Sequence, residues 1–134
     1  MPVPDNLCDP EDGSVFFDGY LASEDVRKRY TAEEVEVYDA ENPSKLLRKV
    51  RAAELEPFKI AIYDTRWVRT PETAGATQPQ RVEIRQSQQG KQFRVDYVNA
   101  DYGDDDEVVK RFGRPGAYQF EFDNGCWRLT REYL

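Results

Sequence analysis

YQFEFDNGCWRLTREYL, residues 118–134, holds the clearest short-range instruction in the chain. Asn-Gly at 124–125 is the dipeptide of a two-residue hairpin turn, because both central positions of that turn need positive φ. With the turn there, Phe122 faces Trp127, Phe120 faces Leu129 and Tyr118 faces Arg131. One face is then aromatic and apolar. On the reverse face Glu121 meets Arg128 and Gln119 meets Thr130, pairs that suit water. Cys126 alternates with Trp127 and so falls on the reverse face, away from the main core. A free structural cysteine prefers a core position. The simplest account is a disulfide to Cys8, the only other cysteine, with the N-terminal arm crossing the back of the hairpin. The alternative is two unrelated thiols in a cytosolic protein.

A second hairpin precedes this one. RVEIRQS and KQFRVDY flank Gln88-Gln89-Gly90. A tip at Gln89-Gly90 sets Val82 against Tyr97, Ile84 against Val95 and Gln86 against Phe93, an apolar face that selects this register. The other face then opposes Glu83 to Asp96 and Arg85 to Arg94. Like charges directly opposite are mildly destabilising. Upstream, Phe58, Ile60 and Ile62 alternate with polar or small residues, and a bulge near Asp64-Thr65 returns Trp67 to the core face. TPETAGATQPQ, residues 70–80, reads as a polar loop.

The front of the chain has a different period. Ser14 caps a first helical turn with Phe16, Phe17, Tyr20 and Leu21 at helical spacing, weakened by Gly19. Ser23 caps a second, with Glu24 and Asp25 favoured in its first turn by the helix dipole. Thr31 with Glu34 forms a possible capping box, although EVEVYD after it alternates like a strand. NPSKLLRKVRAAEL, residues 42–55, reads as a helix capped by Ser44, with Leu46, Leu47 and Val50 as its stripe and Pro57 as its stop. YGDDDEVVKRFGRPG reads as a short helix near 105–112, capped by Asp104 or Asp105 and stopped by Gly113 and Pro115.

These readings give one α+β domain over 1–134: an arm at 1–13, a mainly helical part at 14–56, and an antiparallel meander at 57–134. N-terminal helices pack on an antiparallel sheet of about five strands. Helices first and a long meander after is an order similar to NTF2-like and cystatin-like folds. That resemblance is one of element order and implies no activity, since such folds host enzymes and binders alike.

Composition narrows function by exclusion. The chain has no histidine, which removes His-based acid–base catalysis, Ser-His-Asp and Cys-His nucleophiles and most zinc sites. No glycine-rich phosphate cradle occurs. Asp101, Asp104, Asp105, Asp106 and Glu107 lack calcium-loop spacing, so no metal or cofactor is expected. No apolar run reaches membrane-spanning length. The first residues have neither the basic nor the apolar region of a signal peptide, and read as a cytosolic start or a mature N-terminus with an added Met. Net charge is −7, split as −9 over residues 1–42 and +2 over 43–134. An acidic chain repels phosphate backbones, which argues against nucleic acid.

The leading expectation is a non-enzymatic binding protein of the periplasm or the extracellular space, of inhibitor or immunity type, masking a basic partner. Its candidate contact residues are Glu33, Glu34 and Glu36, then Asp104, Asp105 and Asp106. The alternative is an NTF2-like pocket domain that binds or converts a small ligand near Tyr63, Asp64 and Arg66, where Asp supplies a base and Tyr or Arg stabilises an anion.

Overall fold

Positive φ at both Asn124 (52°) and Gly125 (84°) closes the last hairpin as a two-residue turn. In the computed structural model, which describes residues 5–55, 58–63, 66–70 and 80–134, that hairpin is β7 (Val108–Asp123) and β8 (Cys126–Tyr133). Phe122 pairs with Trp127 and Phe120 with Leu129, as the turn dictates. A bulge between Gln119 and Phe120 then shifts the register, so Tyr118 faces Glu132 rather than Arg131. The bulge puts a carboxylate on the apolar face.

Around this hairpin lie β1 (Thr31–Tyr38), β2 (Leu46–Arg51), β5 (Val82–Gln89) and β6 (Gln92–Tyr102). They form a six-stranded sheet in the order β2-β1-β8-β7-β6-β5, antiparallel except for the parallel β1–β8 pair. β3 (Ile60–Tyr63) and β4 (Arg66–Arg69) make a separate two-stranded sheet. The helices α1 (Gly13–Ala22) and α2 (Glu24–Arg29) precede all strands. The class is therefore α+β, with N-terminal helices on a mostly antiparallel sheet.

Aromatic rings weld the layers. Phe120 receives Phe16, Phe17 and Tyr20 of α1 at centroid separations of 5.6, 5.9 and 5.1 Å. Such pairs add about 0.5–1.5 kcal/mol each beyond area burial. The helix is held by these rings despite Gly19, and Gly19 has its own use. A Cβ there would stand 2.4 Å from Leu7 Cδ1, so the bare backbone lets the short 3-10 helix Asp5–Cys8 pack against α1. Trp67 stacks on Phe17 at 5.7 Å and fixes β4 beside the helix.

Several expectations are corrected. Asp12, not Ser14, caps α1, its carboxylate accepting from Val15 N at 3.3 Å. Ser23 caps α2 as expected. Residues 14–56 are not mainly helical, because 31–38 and 46–51 are strands. Leu46, Leu47 and Val50 form no helical stripe: their segment pairs antiparallel with β1, and this long-range pairing outweighs its helix propensity. The expected helix at 105–112 is the start of β7, where Val108, Val109 and Phe112 suit a strand. Gly113 (φ 77°) is not a helix stop. It opens a bulge of 113–115 opposite Val98. Pro115 is tolerated there because β7 gains β8 as a neighbour only from Ala117 onward.

The β5–β6 register is shifted by two. Gly90 (φ 58°) stands first, not second, in the turn, so Val82 faces Asn99, Ile84 faces Tyr97 and Gln86 faces Val95. The shift removes the like-charge pairs, because Arg85 now meets Asp96. The expected bulge near Asp64-Thr65 lies outside the described residues. Ile62 and Trp67 pair across β3 and β4, so the chain reverses between Tyr63 and Arg66.

Candidate functional site

Cys8 and Cys126 are joined in a disulfide. The arm does not cross the back of the hairpin. Leu7 packs against α1, and Asp9 O accepts from Trp127 Nε1 at 2.8 Å, so the arm runs on the helical side. Cys126 is 5% exposed and belongs to the same cluster as Trp127. It is the first paired residue after the turn, at the rim of the sheet, where an arm descending beside α1 reaches it. Gln88 of β5 clamps the arm further, accepting from Gly13 N and donating to Pro10 O, both at 2.9 Å.

The inner face of the sheet carries a buried polar network. Glu132, 4% exposed, forms an ion pair with Lys59. Lys59 N donates to Tyr118 Oη at 3.0 Å. Tyr118 stacks between Phe58 (4.0 Å) and Tyr97 (5.6 Å). Arg69 lies 5.0 Å over the Tyr97 ring and donates to Asn99 Oδ1 at 2.7 Å. The hydroxyl of Tyr20 shares a 2.7 Å hydrogen bond with that of Thr31. Burial pushes Tyr97 up to about 12, helped by the charge of Glu132 and opposed by Arg69. Burial likewise takes Tyr20 to about 12 and Tyr118 well above the ordinary phenol value. These tyrosines stay neutral, and the network's polar groups satisfy one another instead of converging on an open space.

A cavity of about 90 Å³ lies at the edge of this network, lined by Val37, Arg48, Val50, Glu54, Leu55 and Glu132. Ligand pockets usually measure roughly 300–1,000 Å³. This void holds one side chain rather than a metabolite.

The expected contact residues are not one surface. Strand alternation sends Glu33 to the opposite side of β1 from Glu34 and Glu36. Glu34 lies 3.8 Å from Lys49, and Glu36 lies 3.4 Å from Arg131. Asp104, Asp105 and Asp106 sit in the turn between β6 and β7, not at a helix start, and Asp106 takes a φ of 60°. Asp106 accepts from Arg81 at 3.0 Å and stands 3.9 Å from Arg66, while Asp104 and Asp105 are exposed. Asp64 lies outside the described residues, and of Tyr63 only the strand position is described. Among the described residues no group of three or more His, Cys, Asp or Glu is placed to hold a metal ion. Among the described residues no helix is long and apolar enough to cross a membrane.

Sequence reasoning passed over two surfaces. Residues 1–26 hold seven acidic side chains and no Lys or Arg. In the structure Asp9, Glu11, Asp18 and Asp25 are exposed along the arm and helices, and no cation among the described residues pairs with them. Asp18 is raised above the ordinary carboxylate value by burial and by the neighbouring charge of Asp12. The second surface is β2, where Lys45, Arg48, Lys49 and Arg51 fall within seven residues that contain no acid. Both runs are legible in the sequence, but only the fold shows what neutralises them. Comparison with protein-family models, with curated proteins and with solved structures found no match.

Proposed function

We propose that this chain is a small non-enzymatic binding protein of the periplasm or extracellular space, of inhibitor or immunity type, that masks a basic partner. The observation that carries this reading is the filled inner face. Among the described residues, rings and a mutually hydrogen-bonded polar network pack between helices and sheet, and the cavity beside Glu132, about 90 Å³, is too small for a substrate. A pocket enzyme needs convergent groups with room between them. The disulfide supports an oxidising compartment. The acidic surface of the arm and α1 supports a basic partner, since exposed charges of one sign accelerate encounter with the other.

The test uses Glu11→Gln with Asp18→Asn, two exposed residues without ion pairs. This pair replaces the cluster at Glu33, Glu34 and Glu36, where substitution would also strand Lys49 and Arg131. Extracytoplasmic extract from the native organism is passed over immobilised protein, and retained proteins are identified by mass spectrometry. A basic protein should be retained, and should associate more slowly with the variant at low salt but equally at high salt, because exposed charges are screened beyond roughly 8 Å at physiological ionic strength. Retention of no basic protein, or equal association rates at low salt, overturns the reading.

A further inference from the structure

β2 ends the six-stranded sheet, and among the described residues no strand pairs with its outer edge. The opposite edge is different. β4 meets the chain just ahead of β5, through the Val68–Arg81 bridge and an Arg69 N to Gln80 O bond of 2.7 Å, and Gln88 of β5 holds the N-terminal arm. An edge strand presents alternate N–H and C=O groups with no partner, a template for one more strand.

We propose that β2 is a docking edge for an extended acidic segment of a partner protein, which adds as a further strand. Charge selects the occupant. Among Lys45, Arg48, Lys49 and Arg51 only Lys49 forms an ion pair within 4 Å among the described residues, at 3.8 Å to Glu34. With four cations and no acid in residues 45–51 the edge is locally basic in a chain of net charge −7. Cations on an edge strand discourage pairing with the same edge of a second copy, because like charges would meet across the new ladder. The same cations reward an acidic strand, and arginine bonds carboxylates with two parallel N–H groups.

Two apolar features add anchorage. Leu46 and Leu47 are 42% and 40% exposed on this edge, large hydrophobic side chains left in water. The 90 Å³ cavity is walled by Arg48 and Val50 of β2 itself. Strands lie about 4.8 Å apart in a sheet, so an inward-facing aliphatic side chain of the added strand reaches that cavity. Main-chain bonds then give affinity, and the cavity with the arginines gives specificity. This surface is distinct from the acidic arm and takes a partner of opposite charge, so it stands or falls separately from the basic-partner reading.

The probe is a fluorescein-labelled, end-capped peptide of four Glu-Val repeats. Fluorescence anisotropy measures its binding, and NMR-detected amide exchange locates it. Saturable binding is expected, with slowed exchange of β2 amides. A Lys-Val peptide should not bind. A Glu-Val peptide N-methylated at alternate amides keeps its charge but cannot form the ladder, and should bind at least about tenfold more weakly. Arg48→Gln with Arg51→Gln should weaken the unmethylated peptide by a similar factor while the circular dichroism spectrum and Tm stay unchanged. No saturable binding at millimolar peptide, equal binding of the methylated peptide, or protection confined to residues outside β2 overturns the proposal.

Discussion

The indole nitrogen of Trp127 donates to the carbonyl oxygen of Asp9, 118 positions away in sequence, beside the disulfide that joins Cys8 to Cys126. The short 3-10 helix Asp5–Cys8 with the residue after it and the last strand are thus closed twice, once by a covalent bond and once by a hydrogen bond from a fully buried ring. Leu7 and Gln88 complete the closure. The arm is part of the core's lid, and its removal would bare Trp127 and Phe93.

Trp127→Ala should destabilise the protein by about 3–5 kcal/mol, since a buried aromatic is lost and both Phe122 and Phe93 lose a ring contact. Trp127→Phe keeps most of the packing and abandons only the bond to Asp9, for a cost of about 1 kcal/mol. Urea denaturation measures both. Equal costs for the two variants would show that the hydrogen bond, not the ring, is what the site requires.

Peptide mapping without reductant should recover Cys8 linked to Cys126. Because the bridge spans 118 positions, the loop-entropy account assigns it about 4–5 kcal/mol before strain. Cys8→Ala with Cys126→Ala should lower the denaturation midpoint accordingly. Two free thiols in freshly purified, unreduced protein would remove the support for an oxidising compartment.

Glu132 is buried and Lys59 is three-quarters buried, so removing the carboxylate takes a close partner from a cation in a poor solvent. Glu132→Leu alone should cost about 3 kcal/mol or less, because Lys59 keeps another interaction and some water contact. Adding Lys59→Met should recover part of that loss. Additive costs in the double-mutant cycle would mean that the pair contributes no coupling.

Alkaline titration should show Tyr20, Tyr97 and Tyr118 resisting ionisation while the protein is folded. Folded-state values of about 12 for Tyr20 and Tyr97, against an ordinary 10, mean that the native state holds these protons more tightly than the unfolded chain. Stability is therefore complete below about pH 10 and is lost as pH rises toward 12, by about 2–3 kcal/mol for each ring. Phenolate absorbance in the near ultraviolet should show Tyr20, Tyr97 and Tyr118 ionising together with unfolding. Ionisation of these three near pH 10 in still-folded protein would place those rings in water.

What the sequence determined by itself was local. Asn124-Gly125 dictated a turn, and the turn dictated that Phe122 meets Trp127, because a two-residue loop leaves one register. Ser23 with Glu24 and Asp25 dictated the start of α2. With only two cysteines, any intrachain bridge had to join Cys8 to Cys126, while the sequence left two free thiols open until the fold brought them together. Tertiary structure decided the rest. KLLRKVR has the composition of a helix, yet β1 offers a ladder partner and it becomes a strand. Val108 to Phe112 extends along β6 for the same reason. Once 31–38 is a strand, Glu33 parts from Glu34 and Glu36, and the acidic surface moves to the arm and α1. The bulge at Gln119 turns Glu132 inward to Lys59, a pairing across 73 positions. Turns and caps are legible because their few residues carry the whole conformational preference. A ladder's energy belongs to two segments at once, so neither segment alone specifies it.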